Sequence, residues 1–258
     1  MAPAAHPAAR PAWAESELAA PHQNAQKAEK VRRMFAAIAG KYDLNNRLHS
    51  LGRDQAWRRA AVKAAAVRPG EAVVDVACGT GDLTELFART PAAHVTGIDF
   101  TPEMLVVARR KLAVRPADVR SKVEYREGDA QALDLPEAFA DVVSIAFGIR
   151  NVADPARAIR EFARILRPGG RLVILEFDTP RFPPFRVLNN FYCGWLMPRT
   201  ATLIAGDRSG AYKYLPRSVG SFMPRAELLG TMAAAGLLEA TAKPMTMGIC
   251  TLYRAVKP

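Results

Sequence analysis

No run of about 18 apolar residues occurs in the chain, so the sequence predicts no membrane-spanning helix. The N-terminus lacks a basic stretch followed by an apolar one, which predicts no secretory signal. Histidine is scarce, and His6, His22, His49 and His94 show no metal-ligand spacing, so no metal site is expected. Cys78, Cys193 and Cys250 are odd in number and far apart, which suits a reducing cytoplasm better than a disulfide framework. There is no RNA-binding signature and no basic strand interleaved with aromatics, so no nucleic-acid partner is expected. What remains is 258 residues, half of them hydrophobic, enough for one α/β core with additions.

The net charge of +11 is unevenly spread. Residues 31–69 carry nine basic and two acidic groups, and residues 181–258 carry ten and three, while 70–180 carry fourteen and seventeen. Two basic flanks therefore enclose a slightly acidic centre. Such flanks suit an anionic surface, either a membrane or a nucleic acid, although solvated helix faces would look the same.

Residues 1–26 are rich in Ala and Pro and predict a disordered arm. From 27 to 258 the pattern predicts a single domain, opened by a helical cap over 27–68. Val31, Met34, Phe35 and Ile38 fall at helical spacing within 27–39, and 41–52 reads as a polar loop. Asp54 is placed to cap a second helix ending before Arg68-Pro-Gly70. Strands are then expected near 72–77, 94–99, 122–126, 140–147 and 170–177, alternating with helices near 82–89, 102–114 and 155–167. A helix at 224–235 and strands near 237–242 and 248–256 complete the pattern. Alternation of this kind predicts a doubly wound, mostly parallel sheet with helices on both faces.

Residues 73–81, Val-Val-Asp-Val-Ala-Cys-Gly-Thr-Gly, concentrate the functional signal. A β-branched run ends in Gly79 and Gly81, which allow a sharp turn and close approach of a ligand. Asp99 ends the next apolar run, where an acid accepts hydrogen bonds from a ribose. The dinucleotide fingerprint would need Gly or Ala at position 84, which is Thr, and no Gly-Lys-Ser/Thr follows. The loop therefore predicts an adenosine ligand without a pyrophosphate, with S-adenosylmethionine the leading candidate.

Several longer segments carry a resemblance. Arg33-Met-Phe-Ala-Ala-Ile-Ala-Gly-Lys-Tyr-Asp43, Asp75-Val-Ala-Cys-Gly-Thr-Gly-Asp-Leu-Thr84 and Ala146-Phe-Gly-Ile-Arg-Asn-Val152 resemble the menaquinone/ubiquinone biosynthesis C-methyltransferase family. So do Leu166-Arg-Pro-Gly-Gly-Arg-Leu-Val-Ile-Leu-Glu-Phe177 and Tyr212-Lys-Tyr-Leu-Pro-Arg-Ser218. The glycine loop and the Pro-Gly-Gly turn are common to class I methyltransferases, whereas the Phe-Gly-Ile-Arg-Asn-Val and Lys-Tyr-Asp segments are specific to the family. The resemblance implies a class I fold with a seven-stranded sheet. It also implies methyl transfer from S-adenosylmethionine to a ring carbon of a prenylated quinol, demethylmenaquinol to menaquinol in some members. It places cofactor contacts at Thr80, Asp99, Asp129 and Ala130, beside Gly79 and Gly81. The family often has Ser where this chain has Ala146.

The chemistry asks the protein to align carbon, methyl and sulfur, exclude water and stabilise a phenolate. Arg150 and Asn151, just after the fourth strand, are candidates for the phenolate. Arg stays protonated and is a poor base, and a salt bridge is the competing reading of Arg150. Tyr42 and Asp43 are the base candidates, and His49 reads as a surface residue. Residues 182–216 form an insertion whose aromatic 182–205 part, bordered by Arg181, Arg186 and Arg199, predicts a lid touching the membrane surface. A homodimer interface would have the same composition. Three classes remain: the quinol methyltransferase, naphthoquinol or benzoquinol; a methyltransferase for another small molecule or lipid; and a non-catalytic cofactor-binding subunit. The 41–43 and 147–152 segments favour the first.

Overall fold

Residues 12–197, 199–200 and 210–258 are described by the structure, a computed structural model. The first eleven residues of the expected arm, and 198 and 201–209 of the expected lid, lie outside them.

Val73, Val74 and Val76 show why the sheet forms where it does. Each is buried, Val73 packing with Trp57, Leu83 and Phe87 on one face and Val74 and Val76 with Ile145, Phe162 and Ile174 on the other. A strand apolar on both sides must lie inside a sheet covered by helices twice over. The seven strands are β1 (Ala72–Val76), β2 (His94–Asp99), β3 (Val123–Glu127), β4 (Ala140–Ala146), β5 (Leu166–Phe177), β6 (Leu238–Met245) and β7 (Cys250–Val256). They run in the order β3-β2-β1-β4-β5-β7-β6, with β7 antiparallel to both of its neighbours. The helices are α1 (Lys27–Ile38), α2 (Tyr42–His49), α3 (Arg53–Ala65), α4 (Asp82–Ala88), α5 (Pro102–Ala113), α6 (Ala117–Arg120), α7 (Pro155–Ile165) and α8 (Pro183–Phe191), followed by Ala211–Gly220 and Arg225–Ala234. Asp154 caps α7 by accepting the Arg157 N–H at 2.9 Å, one position before the N1 proline.

Three expectations are corrected. Residues 12–26 are not a disordered arm: Trp13, 3% exposed, stacks on Tyr214 at 4.8 Å between ring centroids and packs with Leu18, Met34 and Met104. One Trp and one Leu bury enough apolar surface to order a segment whose composition is otherwise Ala and Pro. The 41–52 loop is largely α2, because buried Asn45 and the contacts of Asp43 described below outweigh the weak helix propensity of its asparagines. Asp54 does not cap α3; Gly52 holds that position in the left-handed region, and Asp54 accepts from Ser50 Oγ instead.

Candidate functional site

The sheet order reverses between β1 and β4, and a pocket opens at the carboxyl ends of the strands, where open α/β sheets bind ligands. Strand-end loops supply Ala77, Gly79, Asp99–Thr101, Gly128–Gln131, Ala146–Gly148 and Asn151–Ala153. Ala28, Val31, Phe35 and Tyr42 from α1 and α2 close the opposite wall. The pocket is open to solvent, and the non-atom space in it, open solvent at its mouth included, is about 790 Å³. Its backbone is strained at two adjacent strand ends: Ala77 and Phe147, neither of them glycine, have φ of 50° and 58°. Such conformations concentrate where a site over-determines its geometry. The two turns pack together so closely that a Cβ on Gly148 would lie 2.6 Å from that of Ala77.

Asp99 is 7% exposed and lines the pocket. One carboxylate oxygen accepts the Gly79 N–H at 2.7 Å and the other the Thr101 N–H at 2.8 Å. Burial raises its pKa, and the backbone amides oppose that rise. A carboxylate held this way still has acceptor sites to offer a ribose. Asp129 and Ala130 also line the pocket, with Asp129 accepting from the backbone N–H of Gln131 at 2.9 Å and from its side-chain amide. Gly79 has only Tyr42 Cε1, at 4.0 Å, near the place of a Cβ, so the space a side chain would fill belongs to the pocket.

Gly81 serves another purpose than close approach to a ligand. A Cβ there would lie 2.1 Å from the Tyr125 hydroxyl, and one on Gly97 would lie 2.7 Å from the same ring. The two glycines make room for Tyr125, which packs with buried Cys78 beneath the loop. Burial pushes the Cys78 thiol well up, so it is an inert packing group. Thr80 is likewise turned away from the pocket: its hydroxyl donates to Asp43, whose other oxygen accepts from Lys111 Nζ at 2.6 Å. Asp43 therefore ties α2 to the glycine loop, and its carboxylate is engaged there. Directly below the loop Asp75 accepts hydrogen bonds from Thr84 and Ser144, and burial raises it to about 6.

Arg150 is corrected from phenolate ligand to a buried structural pair. It is 4% exposed, outside the pocket lining, and donates to Glu176 and, at 2.7 Å, to the Phe147 carbonyl. Its neighbour Asn151 does face the pocket, with Nδ2 donating to the Phe147 carbonyl and Oδ1 accepting from Tyr214. Tyr42 faces the pocket as well. Burial raises its phenol above the usual value, so at neutral pH it is a donor rather than a base. His49 is bonded to the Asn45 carbonyl and to Thr200, at the far end of α2 from Tyr42. Lys27 went unnoticed in the sequence: it is buried, donates to the Val152 carbonyl, and burial with the nearby Arg150 charge lowers it to about 8. Its only sequence signal is position, one residue before the pocket-lining Ala28. Among the described residues no cluster of His, Cys, Asp and Glu could hold a metal ion.

The residues present fit S-adenosylmethionine. A buried acid ends β2, an acid-Ala pair follows β3, and Phe100, Met104 and Ala130 give the space between them apolar walls. Together the sheet order and this pocket define a class I S-adenosylmethionine-dependent methyltransferase. Residues 23–257 match the model of the ubiE/COQ5 methyltransferase family, and the chain belongs to that family. It is 40% identical over 234 residues to the ubiquinone/menaquinone biosynthesis C-methyltransferase of Geotalea daltonii, covering 90% of this chain and 98% of that one. To the demethylmenaquinone methyltransferase of Thermus thermophilus it is 43% identical over 226 residues, 87% of this chain and 100% of the relative. A solved S-adenosylmethionine-dependent methyltransferase from Thermotoga maritima shares the fold with a TM-score of 0.58 at 18% identity, covering 88% of this chain and 100% of that one.

Proposed function

We propose that this enzyme methylates a ring carbon of a prenylated quinol, converting demethylmenaquinol to menaquinol. Family membership across 23–257 is the observation that carries the reading, and the Thermus thermophilus relative bears the name of that reaction. Benzoquinol methylation is the second reading, because the Geotalea daltonii relative is named for both quinones. S-adenosylmethionine when bound supplies an already activated methyl group, so the step needs no metal. Asp99 accepts from the ribose, Asp129 and the Ala130 backbone meet the adenine, and Gly79 gives the methionine end room. Tyr42 and the Asn151 amide are the donors for the ring oxygens. Arg150 is neutralised by Glu176, which leaves Lys27, bonded to the Val152 carbonyl next to Asn151, as the nearby positive charge that favours a developing phenolate without touching it.

The enzyme acts from the cytoplasm, meets the membrane at its inner face and uses no nucleic acid. The test is a single-turnover assay with methyl-labelled S-adenosylmethionine and short-chain demethylmenaquinol. Label on the quinol ring supports the reading; cofactor binding with no labelled quinol of either ring type overturns it.

A further inference from the structure

Among the described residues, nine of the fourteen large apolar side chains left exposed fall in two stretches, while Phe100, Val106, Val114, Leu238 and Met247 lie elsewhere. Leu44, Leu48 and Leu51 stand at helical spacing along α2 and its end, with Leu51 86% exposed. Phe182, Val187, Leu188, Phe191 and Trp195 are exposed on α8 and the π-helical turn Tyr192–Leu196 that continues it. The two stretches are joined: the Tyr192 hydroxyl donates to the His49 carbonyl at 3.0 Å, and the His49 ring bonds Thr200. They form one surface from two segments more than 130 residues apart.

The charge on this surface has one sign. Arg181, Arg186 and Arg199 border α8, and residues 181–199 contain no acid. Lys41, Arg47 and Arg53 border α2; Arg47 pairs with Asp82 at 3.3 Å, and the one acid between them in the sequence, Asp43, is held by Thr80 and Lys111. Trp195 stacks on Phe191 with ring centroids 5.4 Å apart, and the Arg199 guanidinium lies over the Trp195 ring at 4.6 Å. An apolar face set with aromatic rings and rimmed by arginines matches the headgroup boundary of an anionic bilayer, where apolar groups sink and guanidinium groups meet phosphates.

We propose that the α2 leucines and the Phe182–Leu196 segment are a single docking face for an anionic lipid bilayer, with α2 as the link between bilayer and pocket. This rests on the quinol reading above and adds the route of the substrate. Tyr42, the first residue of α2, lines the pocket, and Leu51 lies beyond its other end. An eight-residue helix spans about 12 Å, so a quinol head in the pocket can leave its tail along α2 in the lipid.

The experiment is co-sedimentation of the full chain with phosphatidylcholine vesicles, with and without about 30% phosphatidylglycerol, beside methylation of a water-soluble naphthoquinol. The expected result is binding that needs the anionic lipid, weakens with salt and falls about tenfold or more in Leu44→Gln/Leu48→Gln/Leu51→Gln. Methylation of the soluble quinol stays unchanged in that variant. A second variant, Phe191→Gln/Trp195→Gln, loses vesicle binding to the same degree. Vesicle binding unaffected by the α2 changes overturns the composite face. Conversion of a dimer to a monomer by those changes, without vesicle binding in the parent, assigns the surface to a second copy of the chain. Vesicle binding lost as expected while no quinol is methylated leaves the docking face standing and removes the quinol reading.

Discussion

The pocket has two halves built in different ways. The strand-end half draws on short loops after β1 to β4 and is held by backbone: strained φ at Ala77 and Phe147, and amides of Gly79 and Thr101 on Asp99. The cap half, α1 and α2, is held by side chains from distant positions: Trp13 on Tyr214, Lys27 on the Val152 carbonyl, Asp43 on Thr80. Backbone-built geometry is fixed once the sheet forms. Side-chain contacts across elements are individually weaker, and each depends on two segments meeting. Arg150 sits at the seam, buried with Glu176, next to the Asn151 that Tyr214 holds from the cap side.

The largest expected effect is therefore at the seam. Arg150→Met leaves Glu176 buried without its partner and is expected to cost about 3–5 kcal/mol of stability, read by urea denaturation. A variant as stable as the parent with turnover lowered 100-fold would return Arg150 to the phenolate and dissolve the distinction between seam and site. Next comes the strand-end half. Gly81→Ala drives a Cβ into Tyr125 at a left-handed φ of 84°, with an expected cost of about 1–3 kcal/mol. Adding Tyr125→Phe should restore part of it, because the hydroxyl is both the nearest obstacle and a buried group with no hydrogen-bond partner. Equal melting of the single and double variants would show that the backbone and not the ring sets the requirement. The smallest effect belongs to the cap. Asp43→Asn should cost less than about 1 kcal/mol in stability, since the Lys111 contact is partly exposed, yet loosen cofactor binding a few-fold. Calorimetry with S-adenosylhomocysteine separates the two; unchanged affinity would mean that α2 does not steady the glycine loop.

How far the site could be read in advance follows the same division. Asp99 and Gly79 were legible as pocket residues because strand-loop-helix periodicity fixes where a loop residue falls on the sheet edge, and Asp129 and Ala130 because the family resemblance placed them there. Tyr42, expected as a base candidate, and Asn151, expected at the phenolate, both line the pocket, but Tyr42 is a protonated donor on a helix and Asn151 is held by Tyr214. The partners that Gly81, Thr80 and Arg150 meet within the protein were hidden for one cause. Each stands within a motif whose neighbours face the ligand, while its own partner, Tyr125, Asp43 or Glu176, lies far away in sequence.

Sequence alone determined the doubly wound sheet, the switch point and the place of Asp99 at the end of β2, because those depend on hydrophobic period, turn residues and the fixed hand of the crossover, all local in the chain. Tertiary structure alone decided that residues 12–26 pack against the body, that Tyr125 fills the space a side chain at position 81 would need, and that Tyr192 ties the segment after α8 to the end of α2. Those outcomes turn on which side chains meet across 40 to 200 residues, a matter of packing and charge burial that no window of sequence contains.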